Sequence, residues 1–237
     1  MGSTTAVRHI RDNSSVTAHL EKRLLVWIAH RLPDAIHSDH LSGLGLASMA
    51  AAGLAFASFR VTPWAALGVI VALTANWFGD SLDGTVARVR QQQRPRYGFY
   101  VDHVIDLAGT AMLLAGLAGS GLMSPLVAAM VLAAFLLVSA ESYLATHAAG
   151  VFRMSFLGFG PTELRLLLMA GALRATVSPV VTGLGVGPVR LFDLGGAAAC
   201  AGLALAFIVS SVRNTRALYI AEPMPTATPV SGTDVAA

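Results

Sequence analysis

Four blocks of this chain, residues 41–59, 61–79, 107–140 and 194–212, carry no Asp, Glu, Lys or Arg. Each is long enough to cross a bilayer, for which about 20 predominantly apolar residues are needed. The third block is too long for one crossing, and Gly119-Ser120-Gly121 and Pro125 interrupt it, so it divides into two helices. A further segment, 161–182, is apolar apart from Glu163, Arg165 and Arg174. The pattern predicts an all-α integral membrane bundle of six transmembrane helices at about 41–59, 64–88, 98–120, 125–147, 161–181 and 190–212. Ahead of them, residues 16–32 alternate Leu20, Leu24, Leu25, Trp27 and Ile28 with Glu21, Lys22, Arg23 and Arg31. That pattern is too polar to insert but amphipathic at helical spacing, and predicts an interfacial helix on the membrane surface or packed on the protein. Residues 1–15 and the Pro/Thr/Ala-rich residues 221–237 are expected to be disordered, leaving 16–220 as a single membrane domain.

Composition agrees: 55% of residues are hydrophobic, 12% are charged and the mean hydropathy is +0.66, which excludes an ordinary water-soluble globule. The single cysteine, Cys200, excludes both a disulfide framework and a cysteine-based zinc site. A net charge of +3 raises the question of nucleic acid, but the basic residues follow topology instead. Only Arg60, Arg174 and Arg190 fall on one side of the six spans; every other Lys and Arg falls on the other. The positive-inside rule then places both termini and the 88–96 loop in the cytoplasm, as expected for a multi-pass protein of the plasma (inner) membrane.

Within this apolar chain four aspartates gather at the cytoplasmic ends of the second and third spans: Asp80, Asp83, Asp102 and Asp106. A carboxylate at the bilayer centre costs about 2.5 to 3.5 kcal/mol on insertion scales, and less near the interface. Asp80 and Asp83 stand at i, i+3 on one helix, and Asp102 and Asp106 at i, i+4 on the next, so each pair shares a helix face. Two such faces turned together concentrate negative charge that cations relieve. Oxygen-only ligation selects hard divalent ions, Mg2+ or Mn2+, and four carboxylates suit two ions about 3.5 to 4 Å apart. Gly84, Ala87 and Gly98 extend the same faces with backbone, which lets a phosphate-bearing ligand approach closely, and Arg88 supplies a guanidinium for phosphate or for an aspartate.

The string Asp80-x2-Asp83-Gly84-x2-Ala87-Arg88-x9-Gly98-x3-Asp102-x3-Asp106 resembles the signature of the CDP-alcohol phosphotransferase (CDP-alcohol phosphatidyltransferase) family, with all eight signature residues present. The six-span layout with an amphipathic N-terminal helix is also similar to that family's fold. The resemblance implies attack of a hydroxyl on the β-phosphorus of a CDP-alcohol, releasing CMP, in phospholipid biosynthesis. It further implies that Asp80, Asp83 and Asp102 hold two metal ions, and that Asp106 is the base and also a metal contact. A homodimer is expected from the resemblance alone.

Several readings stay open at this level. His103 follows Asp102 and lies three residues before Asp106, and the aminoalcohol branch of the family has a similar Asp-His pairing, so His103 is either an alternative base or a histidine that satisfies its neighbour. Asn76, one turn before Asp80, either faces the nucleotide or packs against a neighbouring helix. Glu141, Arg153, Glu163 and Arg165 are acceptor-binding candidates: arginines suit a phosphorylated alcohol, and either glutamate suits an ammonium headgroup. The donor is CDP-diacylglycerol passing a phosphatidyl group to a small alcohol, or a soluble CDP-alcohol passing its headgroup to a lipid hydroxyl. Outside this class, an ion-coupled transporter or a non-catalytic homologue also places acids in a membrane.

Overall fold

The computed structural model describes residues 16–149, 160–182 and 187–224. They form helices α1 (Val16–Ala29), α2 (Ser38–Ala57, continued by a 3-10 turn at Ser58–Arg60), α3 (Ala65–Val89), α4 (Pro95–Ser120), α5 (Pro125–Ala149), α6 (Pro161–Val177) and α7 (Leu191–Ala221). Proline opens α4, α5 and α6, where its missing N–H belongs to a turn that leaves donors unpaired anyway and its fixed φ suits the helix. Gly121, at φ 78°, closes α4 in the left-handed conformation that only glycine adopts without strain.

These helices stand where the hydrophobic blocks put them, with three differences. Five are long and apolar enough to cross a membrane: α2 with its 3-10 turn, α3, α4, α5 and α7. The fifth expected span, α6, has 17 residues, about 25 Å at 1.5 Å per residue against a hydrocarbon layer of about 30 Å, and it carries Glu163, Arg165 and Arg174. Its expected C-terminal turn is instead extended: Val180–Val181 (β1) pairs antiparallel with Val189–Arg190 (β2), a hairpin that periodicity over so few residues does not announce. The last helix continues past 212 through Arg213, Asn214 and Arg216 to Ala221, because charge ends a membrane crossing without ending a helix. The segments 1–15 and 225–237, expected to be disordered, lie outside the described residues.

Helix α2 sits between the two aspartate-bearing helices and approaches both at glycines. A Cβ on Gly79 of α3 would lie 2.7 Å from the Leu41 carbonyl oxygen and 2.8 Å from the Gly45 nitrogen of α2. One on Gly116 of α4 would overlap the Gly53 backbone of α2. Small residues allow such contact, which is how helices associate where lipid removes the hydrophobic drive between them. Around these crossings Phe56, Val69, Leu73, Leu113 and Leu117 form a buried core, with Phe192 of α7 edge-on to Phe56 at 5.5 Å. A second cluster fastens α1: Leu25 and Ala29 pack with Leu41, Leu82 and Val86, while Leu24 and Trp27 face outward. The α1–α2 connector is pinned by Arg90 at the end of α3, which donates to the carbonyls of Ile36 (2.6 Å), Leu32 (2.9 Å) and Pro33 (3.1 Å). Arg94 pairs with Asp39 nearby, tying the α3–α4 loop to the start of α2.

The crossings predict a graded response to added volume. Gly79→Ala and Gly116→Ala should each destabilise the detergent-solubilised protein by about 1 to 3 kcal/mol, the usual cost of overpacking. Gly202→Ala, inside α7 with nothing within 4 Å of its Cβ among the described residues, should leave the thermal unfolding midpoint unchanged or slightly raised, since alanine favours a helix over glycine. Equal midpoints for all three would show that α2 does not set the spacing of α3 and α4.

Candidate active site

Docked on α2, the acidic ends of α3 and α4 meet. Asp80 of α3 and Asp102 and Asp106 of α4 each place a carboxylate oxygen within 4.8 Å of the others; Asp80 and Asp102 are half-buried and Asp106 is exposed. The spacing explains this: i, i+4 on α4 brings both its carboxylates to one face, and the Gly79 contact brings that end of α3 close to α2. Asp83 is not in this trio. Its Oδ2 accepts a 2.7 Å hydrogen bond from the Ser42 hydroxyl of α2.

Asp80 has a cationic partner. Arg165 of α6 donates from an η-nitrogen to Asp80 Oδ2 at 2.6 Å and from Nε to Asn76 Oδ1 at 2.7 Å. Asn76, almost fully buried, donates in turn to the Gly45 carbonyl at 2.9 Å. Asn76 therefore serves a junction of α2, α3 and α6, the packing alternative of the two read from sequence. Gly84 is covered by Arg88, whose guanidinium would stand 3.2 Å from a Cβ there and which donates to Thr85 Oγ1 at 3.1 Å. Ala87 is half-buried on the same turn, and Gly98 has nothing within 4 Å of a Cβ among the described residues.

His103 is buried where α4 meets α5. Its Nδ1 lies 2.7 Å from the Phe99 carbonyl oxygen and 3.8 Å from Asp102 Oδ2, and its ring packs on Phe99 (centroids 4.1 Å apart) and edge-on to Tyr143 of α5 (5.1 Å). The 2.7 Å contact to a carbonyl requires Nδ1 to be the protonated nitrogen. Two of the acceptor candidates are engaged elsewhere. Glu141 accepts from Ser210 and Asn214 of α7, both at 2.7 Å, joining α5 to α7. Glu163 reaches back 2.9 Å to the Gly160 N–H and caps α6. Arg153 lies outside the described residues.

Ser42 and Gly45 escaped the sequence reading because they sit in a block with no charge at all. The Arg165 partner escaped because 85 residues separate it from Asp80. Among the described residues the donors that converge are carboxylate oxygens, a set that fits a hard divalent cation such as Mg2+ or Mn2+ and disfavours a soft one.

No curated protein gives a significant match to the chain. A family model for CDP-alcohol phosphatidyltransferases, enzymes that move a phosphate-linked group out of a CDP-alcohol in phospholipid synthesis and that typically depend on a divalent metal, matches residues 40–213. That stretch runs from the start of α2 into α7 and takes in the aspartates of both helices, and the chain belongs to this family.

Proposed function

We propose that the chain transfers a substituted phosphate group from a CDP-alcohol to an acceptor hydroxyl, releasing CMP, at the cleft between α3 and α4. The observation that carries this reading is the meeting of Asp80, Asp102 and Asp106 within 4.8 Å from two different helices. A proton relay would string its acids along a path; here they share one point.

In this reading Asp80, Asp83 and Asp102 hold two divalent ions, Mg2+ or Mn2+. When bound, the ions neutralise charge building on the CMP leaving group. Arg88 and the open backbone at Gly98 receive the diphosphate. Asp106, exposed at the cleft, takes the proton of the acceptor hydroxyl as its oxygen bonds to the β-phosphorus and the bond from that phosphorus to CMP breaks. His103 supports this assignment by its surroundings: with Nδ1 on a backbone carbonyl and its ring between two aromatics, it packs α4 against α5. The cleft opens to the cytoplasm, α6 with the β1–β2 hairpin completes a sixth crossing, and α1 lies on the membrane surface with Leu24 and Trp27 toward lipid.

Purified protein given Mg2+ or Mn2+ should release CMP from a panel of CDP-alcohols, and EDTA should abolish the release; turnover that persists in EDTA would remove the metal from the reading. Asp106→Asn should keep CDP-alcohol binding, measured by calorimetry, while transfer falls by roughly 10²- to 10⁴-fold, the usual contribution of a positioned base. His103→Phe should cost far less. A dead His103→Phe beside an active Asp106→Asn moves the base to His103. Mass spectrometry of the lipid product from the same panel fixes the acceptor and decides between a phosphatidyl and a headgroup transfer.

A further inference from the structure

We propose that Arg165 is an internal counter-ion of the aspartate cleft, competing with divalent ions for Asp80 and swung off it when they bind. The inference rests on the metal-binding reading above and adds a residue from α6, a helix that carries none of the eight motif positions.

The geometry gives Arg165 two unequal attachments. One is to charge: an η-nitrogen on Asp80 Oδ2 at 2.6 Å. The other is neutral: Nε on Asn76 Oδ1 at 2.7 Å, with Asn76 itself held by the Gly45 carbonyl at 2.9 Å. The guanidinium is 12% exposed and Asp80 31%, so the pair is substantially withdrawn from solvent, where neither charge is well screened. Asp80 is also one of the three carboxylates that converge. A divalent ion on Asp80 and a guanidinium on the same carboxyl group are like charges a few ångströms apart, and each lowers the affinity of the other. Coupling of this kind is reciprocal: what the ion does to the Arg165–Asp80 pair, the pair does to ion binding. The neutral bond to Asn76 provides a pivot, since Nε keeps its acceptor while the η-nitrogens leave. Arg165 thus offsets part of the like-charge repulsion among the aspartates, and its departure exchanges one compensating cation for a stronger one.

The test reads ion affinity directly. Mn2+ is titrated into the full-length protein in detergent, and free Mn2+ is followed by its electron paramagnetic resonance signal. Arg165→Gln should bind Mn2+ more tightly than the wild type, by about tenfold, the effect of removing one like charge beside an ion in a partly solvated cleft. Arg165→Lys, which keeps the charge, should stay near the wild type. An Arg165→Gln affinity equal to or weaker than the wild type overturns the proposal and leaves the metal reading standing, because Arg165 would then be a structural tie. No Mn2+ uptake by the wild type overturns both. Should Arg165→Gln fail to purify as a monodisperse species, the wild type decides through nitrogen-15 resonances of the arginine η-nitrogens with Mg2+ added: a shift of the Arg165 η signal, identified by its loss in Arg165→Lys, supports displacement, and an unmoved signal overturns it.

Discussion

Carboxylates brought within 4.8 Å of one another at the ends of membrane helices repel, and the remaining architecture is a response to that repulsion. At an effective dielectric of about 20, two unit charges at such a distance oppose each other by on the order of 3 kcal/mol. Helices free to separate would do so. They are held by α2, whose glycine crossings bring α3 and α4 onto one helix at backbone contact, where no side chain can be shortened to relax the fit. The packing that looks remote from chemistry is therefore what keeps three acids together.

The same helix organises the polar groups around them. Ser42 bonds Asp83, and the Gly45 carbonyl fixes Asn76, which fixes Arg165, which reaches Asp80. A chain of four hydrogen-bonded groups thus joins the charge-free stretch of α2 to a converging aspartate through two neighbours. Arg90, bonded to the carbonyls of Leu32, Pro33 and Ile36, ties the end of α3 to the α1–α2 connector.

Much of this was legible in the chain. Charge-free blocks located every long helix, since a membrane permits few other ways to satisfy a backbone. The i, i+3 and i, i+4 spacings placed each pair of aspartates on a common face, and the eight-residue string pointed to the family. What stayed hidden was tertiary. Nothing in Leu41 or Gly45 announces that Gly79 will rest on them. Glu141 and Glu163 looked like candidates for substrate because a carboxylate near the cytoplasmic side suits an ammonium headgroup; the partners present are Ser210 and Asn214 on α7, and the Gly160 N–H at the start of α6. His103 was similarly ambiguous, as its position beside Asp102 says nothing of the Phe99 carbonyl or of Tyr143 across the bundle. The hairpin after α6 was invisible because two-residue strands leave no periodicity.

These partners also divide the labour among helices. The motif lies wholly on α3 and α4, both set against α2, so its geometry is fixed by the tightest crossings in the bundle. α5 and α7 are locked to each other by Glu141, whose oxygens are both occupied by α7 donors. α6 differs: it is the shortest of the helices after α1, its buried residues are the small Ala172 and Ala175, and its tie to the acidic end of α3 is one guanidinium. Moving Arg165 therefore breaks a single ionic contact and no glycine crossing. Because Ala172 and Ala175 keep α6 seated in the main core, a change of partner at Asp80 moves one side chain and leaves the helix in place, which is the condition a displaceable counter-ion requires.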